Sequence, residues 1–357
     1  MCVLSSHPIE SPKNHWQGQR LAIADWLRGV AAVCIVWHHL SLYAPQSDLA
    51  DRFAPNVGYA LYNYMLYAVA IFFVLGGLTA SIDKGSRTLG ETLQDILKRY
   101  LRLAIPYLVM LSFFLVTNFV AIHYGWSLNQ IDSFSWPQLA THTLFLQDIF
   151  GYGNFSAGTW YLCIELQWSC FVLLLGYVAN RWQTGKFNSV QTQVAILFPL
   201  GVASAWLWSR SETFEPYFLF FASQYVLGFF LGLSLQGKLP RLALLLYSTA
   251  IALSLAINPR PQLLTSLLVA GLLLYLVPRL QSWQLPLFFR WLGDISYSLF
   301  LVHYLVNGLV LKLIDPLAKQ SPSWAAGAMA IAFACSLGVA DLFHRFVEQP
   351  AIRWIKR

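Results

Sequence analysis

Apolar stretches of about twenty residues recur along this 357-residue chain, separated by short segments that hold most of its charge. They fall at about 26–44, 59–81, 101–124, 159–180, 191–209, 215–236, 240–257, 262–278, 292–314 and 323–344. A transmembrane helix needs about 20 apolar residues, within a range of roughly 17–25. The pattern therefore predicts ten spanning helices, the pair at 240–257 and 262–278 being the shortest. Residues 137–150 (PQLATHTLFLQDIF) are too short to span and are expected as a re-entrant or surface helix. The expected fold class is all-α, a polytopic membrane protein in a single domain over 1–357. Residues 1–20 are expected as a polar cytoplasmic tail, with no soluble accessory domain.

Composition supports the pattern. Hydrophobic residues make up 57% and charged residues 11%, whereas globular proteins carry about 25% charged residues. Aromatic residues reach 16%, as expected where many helix ends lie in a bilayer interface. The net charge of +7 then reads as membrane orientation and not as a nucleic-acid footprint. With the amino terminus inside, 18 of the 23 Lys and Arg residues fall on the cytoplasmic side, and only Arg52, Arg210, Arg260, Lys312 and Lys319 fall outside. That bias follows the positive-inside rule and puts both termini in the cytoplasm. No Lys or Arg occurs between Arg102 and Arg181, which fits an external 125–158 loop. The first 25 residues are polar and contain Pro8 and Pro12, so no cleavable secretory signal is expected. Cys2, Cys34, Cys163, Cys170 and Cys335 form no CxxC, and four lie in apolar runs, so neither a disulfide framework nor a metal site is expected.

Ionisable side chains inside a bilayer cost roughly 2.5–3.5 kcal/mol at a helix centre on insertion scales, so each asks for a reason. Arg28 and His39 lie eleven residues apart in RGVAAVCIVWHH. In a helix both fall on one face, about 16 Å apart along the axis. His39 lies roughly 20 Å from the cytoplasmic end of its helix and His303 roughly 16 Å from the corresponding end of its own. Glu165, near the external start of its helix, comes to a comparable level. The three define a candidate catalytic layer, since an imidazole and a carboxylate at one depth make an acid–base pair. A second layer at the cytoplasmic edge holds Arg28 with Arg99 and Arg102, neighbours at i, i+3. Guanidinium groups suit bidentate phosphate binding, and Asp25 is placed to hold Arg28.

Each residue also has a structural reading. Arg99 and Arg102 fit positive-inside anchors among Lys84, Arg87 and Lys98. His303 fits a core histidine bonded to a neighbouring helix, and His38 a core or lipid-facing one. Glu348 is expected to pair with Arg345 and end the last helix, with Asp341 and His344 also structural.

Six ordered segments carry a family resemblance. They are DWLRGVAAVCIVWHH, FFVLGGL at 72–78, Arg99-x-x-Arg102 followed by Pro106, TWYLCIEL at 159–166, GDISYSLFLVH at 293–303 and FVEQP at 346–350. Together they resemble the integral-membrane acyltransferase family 3, which includes O-acetyltransferases of surface glycans, and they cover essentially the whole chain. An Arg-x10-His pattern there selects His39 over His38. Gly76 stands where the pattern has Ser, and Tyr161 stands where it has Ser after Trp160; both departures bear on the pocket.

The resemblance implies an acyl group, usually acetyl, moving from cytoplasmic acetyl-CoA to a sugar or glycan hydroxyl, without a metal. The implied protein is multi-pass in the cell (inner) membrane. Arg28, Arg99 and Arg102 would bind the donor phosphates. His39 would act as general base, with acyl-histidine formation as a variant, and Glu165 would orient or charge it. His303 would polarise the thioester or hold the acceptor, and Trp160 and Tyr297 are candidates for stacking on a sugar. The chief alternative is a proton-coupled secondary transporter relaying protons through His39 and Glu165. An export or assembly subunit without catalysis is a third. No nucleic-acid partner is expected, and oligomeric state is not readable.

Overall fold

The computed structural model describes residues 22–82, 88–125, 134–183, 188–280 and 286–356. The charged positions Lys84, Arg87 and Lys186, the polar tail 1–20 and Arg357 lie outside them. Among the described residues every regular element is helical: α1 Ala22–Leu40, α2 Gln46–Phe53, α3 Pro55–Asn63, α4 Val69–Ile82, α5 Leu89–His123, α6 Trp136–Thr143, α7 Thr159–Arg181, α8 Ser189–Trp206, α9 Phe218–Leu235, α10 Arg241–Ile257, α11 Pro261–Leu276, α12 Leu287–Leu313, α13 Asp315–Ala318, α14 Pro322–Phe343 and α15 Gln349–Ile355.

Seven of the described segments are long and apolar enough to cross a membrane: 55–82, α5, α7, 189–210, α9, α12 and 322–355. The expected pair at 240–257 and 262–278 exists as the shorter apolar helices α10 and α11. The 19-residue α1 coincides with the first predicted span but carries Asp25, Arg28, His38 and His39. The 59–81 stretch is broken: a 3₁₀ turn over Met65–Ala68 separates α3 from α4. Beside that break, His38 Nδ1 donates to the Leu61 carbonyl at 3.3 Å, an acceptor a continuous helix would use internally. The 137–150 stretch holds only the short α6, followed by turns.

The interior falls into two large apolar clusters and a small one of Ala31, Ile35 and Ala68. One large cluster joins α4, α8, α9, α10 and α11; the other joins α5, α12 and α14; α1 and α7 contribute to both. Large apolar side chains such as Leu245, Leu253, Leu268 and Phe119 point outward, which suits a surface solvated by lipid.

Two glycine contacts set the helix positions. Gly77 and Gly228 bring α4 and α9 together, since a Cβ on either would collide with the other helix's backbone. Gly29 and Gly293 do the same for α1 and α12: a Cβ on Gly29 would lie 2.9 Å from the Gly293 nitrogen. Membrane helices use small residues for such close approach. Ten residues further along each helix stand His39 and His303. Two contacts at the same offset mean that α1 and α12 run parallel, in register, with the glycine crossing about 15 Å from the histidine pair.

Candidate active site

The end of α1 and the middle of α12 meet at two imidazoles. His39 Nδ1 and His303 Nε2 lie 2.7 Å apart, with the rings stacked at 5.0 Å between centroids. His303 is fully buried. Its Nδ1 lies 3.0 Å from the Leu299 carbonyl. A carbonyl only accepts, so His303 Nδ1 carries the proton, and a neutral His303 offers Nε2 as an acceptor. His39 must then donate through Nδ1, which leaves its Nε2 as an unprotonated nitrogen. One backbone carbonyl thus fixes both tautomers, in the way that a metal-bound or catalytic histidine is held by the partner on its other nitrogen.

His39 borders two cavities. The larger, of about 760 Å³, opens between the start of α7, the 208–217 segment and the 148–158 loop, and includes His38, Asp148, Trp160, Tyr161, Glu212 and Glu215. The smaller, of about 480 Å³, includes Tyr43, Tyr304, Lys312, Asp315 and Lys319. Both fall in the range of about 300–1,000 Å³ typical of ligand sites. Burial pushes the Asp148 carboxyl up, against hydrogen bonds from Asn154 and Gln147. Glu215 is likewise raised, first by burial and then by the Glu212 charge.

Glu165 faces the other way. Its Oε2 accepts from Tyr225 Oη at 2.8 Å and from Tyr161 Oη at 3.2 Å. It lines a third cavity, of about 280 Å³, with Gly76, Arg99, Asn180, Gln193 and Lys238. This inner cavity lies towards the far end of α7, where α8 begins. Tyr161 borders the outer cavity while bonding the carboxylate that borders the inner one, so it stands between them. The expected layer of three is therefore divided. His39 and His303 are brought together, and Glu165 is held by two tyrosines with no hydrogen bond to either imidazole.

The arginine layer does assemble. Arg28 Nη1 donates to Asp25 Oδ1 at 3.0 Å, and Arg28, Arg99 and Arg102 are close enough for their charges to repel. Arg28 and Arg99 also act on Glu165. Three guanidinium groups at one place raise the local positive potential, which favours an anionic ligand there.

One sequence expectation is corrected. Glu348 does not pair with Arg345, which bonds Asp341 at 2.8 Å. Instead Glu348 is buried, accepting from Ser298 Oγ at 2.6 Å and His344 Nδ1 at 2.9 Å. The chain enters a π turn at His344–Glu348, so the i, i+3 spacing assumed for a regular helix does not apply. Tyr297 stands away from the cavities that border His39, its hydroxyl donating to the Leu103 carbonyl at 2.8 Å beside Arg102. Sequence reading did not single out Tyr225, Asp148, Glu212 or Glu215. A tyrosine in an apolar helix and acids in a loop carry no local signal of the site they join.

Among the described residues no group of three or more His, Cys, Asp or Glu side chains lies close enough to hold a metal ion. The described residues thus form a helical protein with several spans, a histidine pair at the border of two cavities and an arginine cluster of which Arg99 lines a third. Its sequence matches the acyltransferase domain model over residues 21–341, and the chain belongs to acyltransferase family 3. No curated protein and no solved structure matches the chain. The protein is a membrane acyltransferase.

Proposed function

We propose that the protein is an O-acyltransferase that takes an acetyl group from cytoplasmic acetyl-CoA and places it on a hydroxyl of a sugar or surface glycan. In this scheme the chain is a single membrane domain of ten spans in the inner membrane, with both termini cytoplasmic. The observation that carries it is the Leu299–His303–His39 relay, which leaves His39 Nε2 as a base beside the outer cavity. Arg28, Arg99 and Arg102 bind the donor phosphates. The thin pantetheine arm rises through the inner cavity, and the thioester reaches His39 past Tyr161. The acceptor enters the outer cavity, where Trp160 offers a face for a sugar ring.

His39 Nε2 takes the hydroxyl proton while the oxygen attacks the thioester carbonyl. A C–O bond forms, the C–S bond breaks, and the departing thiolate receives the proton from His39. His303 is a positioning residue here: both its nitrogens are engaged, so it holds His39 instead of polarising the thioester. The test is thioester turnover by purified protein in nanodiscs supplied with acetyl-CoA. Wild type turns the thioester over slowly without acceptor, and His39→Ala does not. Equal turnover by the variant overturns the assignment of the base.

A further inference from the structure

Glu165 is a half-buried carboxylate that the transfer scheme leaves without a task, and its surroundings assign one. Tyr161 and Tyr225 both bond the same oxygen, Oε2, from helices α7 and α9. Among the described residues no hydrogen bond reaches Oε1, and the residue lines the inner cavity. The clamp therefore fixes the carboxylate through Oε2 and leaves Oε1 as its open acceptor. Tyr225 is completely buried, stacked on Trp168 at 4.7 Å and in edge contact with Phe73 at 5.1 Å, so its hydroxyl has little freedom to aim elsewhere.

Gly76 is what lets Tyr225 arrive. A Cβ at that position would lie 2.8 Å from Tyr225 Cε1 and 3.1 Å from Glu165 Oε2. A serine there would press on the tyrosine ring and bring its own hydroxyl to the same carboxylate. Serine at position 76 and tyrosine at position 225 are thus competing donors to one oxygen, and this chain has taken the tyrosine.

We propose that Gly76, Tyr161 and Tyr225 form a clamp that aims Glu165 Oε1 at an amide N–H of the donor's pantetheine arm, making Glu165 a donor-binding residue. The assignment rests on acyl-CoA being the donor. The chemistry fits: a carboxylate oxygen held in place accepts hydrogen bonds, and the pantetheine arm offers two amide donors along its length. The two tyrosines are positioning residues, acting through Glu165.

The test compares two probes with purified protein in nanodiscs: acetyl-CoA, and 3′-phospho-ADP (adenosine 3′-phosphate 5′-diphosphate), which keeps all three phosphates but lacks the arm. Tyr225→Phe preserves the ring and removes only the hydroxyl. It is expected to weaken acetyl-CoA binding by about ten-fold, the scale of one hydrogen bond to a charged group, and to leave 3′-phospho-ADP binding unchanged. Gly76→Ser is expected to lower the unfolding temperature, and adding Tyr225→Ala to it should cost less stability and less acetyl-CoA affinity than the sum of the two single changes, because the serine then meets no ring and its hydroxyl serves the freed oxygen. Equal loss for both probes in Tyr225→Phe, or no loss for either, overturns the clamp. Strictly additive effects of Gly76→Ser and Tyr225→Ala also overturn it. If wild type binds neither probe, the donor itself is wrong, and the stability cycle still reports whether the two side chains compete.

Discussion

His39 differs from His38 by one position and from His303 by one helix, and those differences decide its chemistry. His38 spends its Nδ1 on the Leu61 carbonyl, while His39 spends its own on an imidazole that is itself fixed by Leu299. His303→Gln is expected to keep the fold and lower turnover by about 10²-fold, within the range of about 10²–10⁴ contributed by general base catalysis. Michaelis constants for acetyl-CoA should stay near wild type, which a kcat-against-KM measurement checks. Arg99→Ala and Arg102→Ala are expected to act the other way, weakening acetyl-CoA affinity by at least ten-fold each, more than His303→Gln does. Equal affinity in all three variants, by titration in nanodiscs, would make the arginines membrane anchors only. At this scale the sequence exposed His39, Glu165, His303 and the arginines as costly residues. It did not expose which of them touch, because contact depends on helices far apart in the chain.

At the scale of elements, the α1–α12 pair sets the geometry of the base. Gly293→Ala would put a methyl group 2.6 Å from the Asp25 carbonyl oxygen, and neither backbone can yield without parting the helices. Over-packing of this kind costs about 1–3 kcal/mol. The expected outcome is a lower unfolding temperature in detergent together with reduced acetyl-CoA turnover, as the imidazole pair further along the same helices loosens.

A second prediction concerns the outer loop. Burial pulls the His142 imidazole below the usual histidine value, with only a hydrogen bond to the Gly153 carbonyl opposing it. His142 Nε2 donates to that carbonyl at 3.1 Å, and Nδ1 accepts from Tyr107 Oη at 2.7 Å. The unfolded loop therefore binds a proton more readily than the folded one. Its stability is intact above about pH 6.5 and is lost as pH falls below that value. Hydrogen exchange over residues 134–158, corrected for intrinsic rate, should accelerate between pH 7.5 and 5.5, and His142→Gln should flatten the response. The apolar pattern located most long helices to within a few residues. It missed the 3₁₀ break before α4 and the π turn before α15, because both are set by side chains that reach backbone or carboxylate groups out of pattern.

For the whole molecule, two cavities divide along α7: His39, Trp160 and the acidic loop residues line the one at its start, and the other runs from Glu165, five residues beyond Trp160, to Asn180, with Arg99 and Lys238. In sealed proteoliposomes, acetyl-CoA supplied on the Arg99 side is expected to be consumed, and acetyl-CoA on the opposite face is not. Free passage of sugar without consumption of donor would return the protein to the transporter alternative.

The sequence by itself determined the membrane class, the approximate spans, the charge asymmetry and the ordered segments that mark the family. Hydropathy, charge bias and motif order are all properties of short stretches, readable one at a time. Only the tertiary structure decided that His303 holds His39, that Glu165 answers to two tyrosines, and that Glu348 turns inward. Each depends on helix register and on which glycine admits which neighbour, and packing fixes these only when distant segments meet.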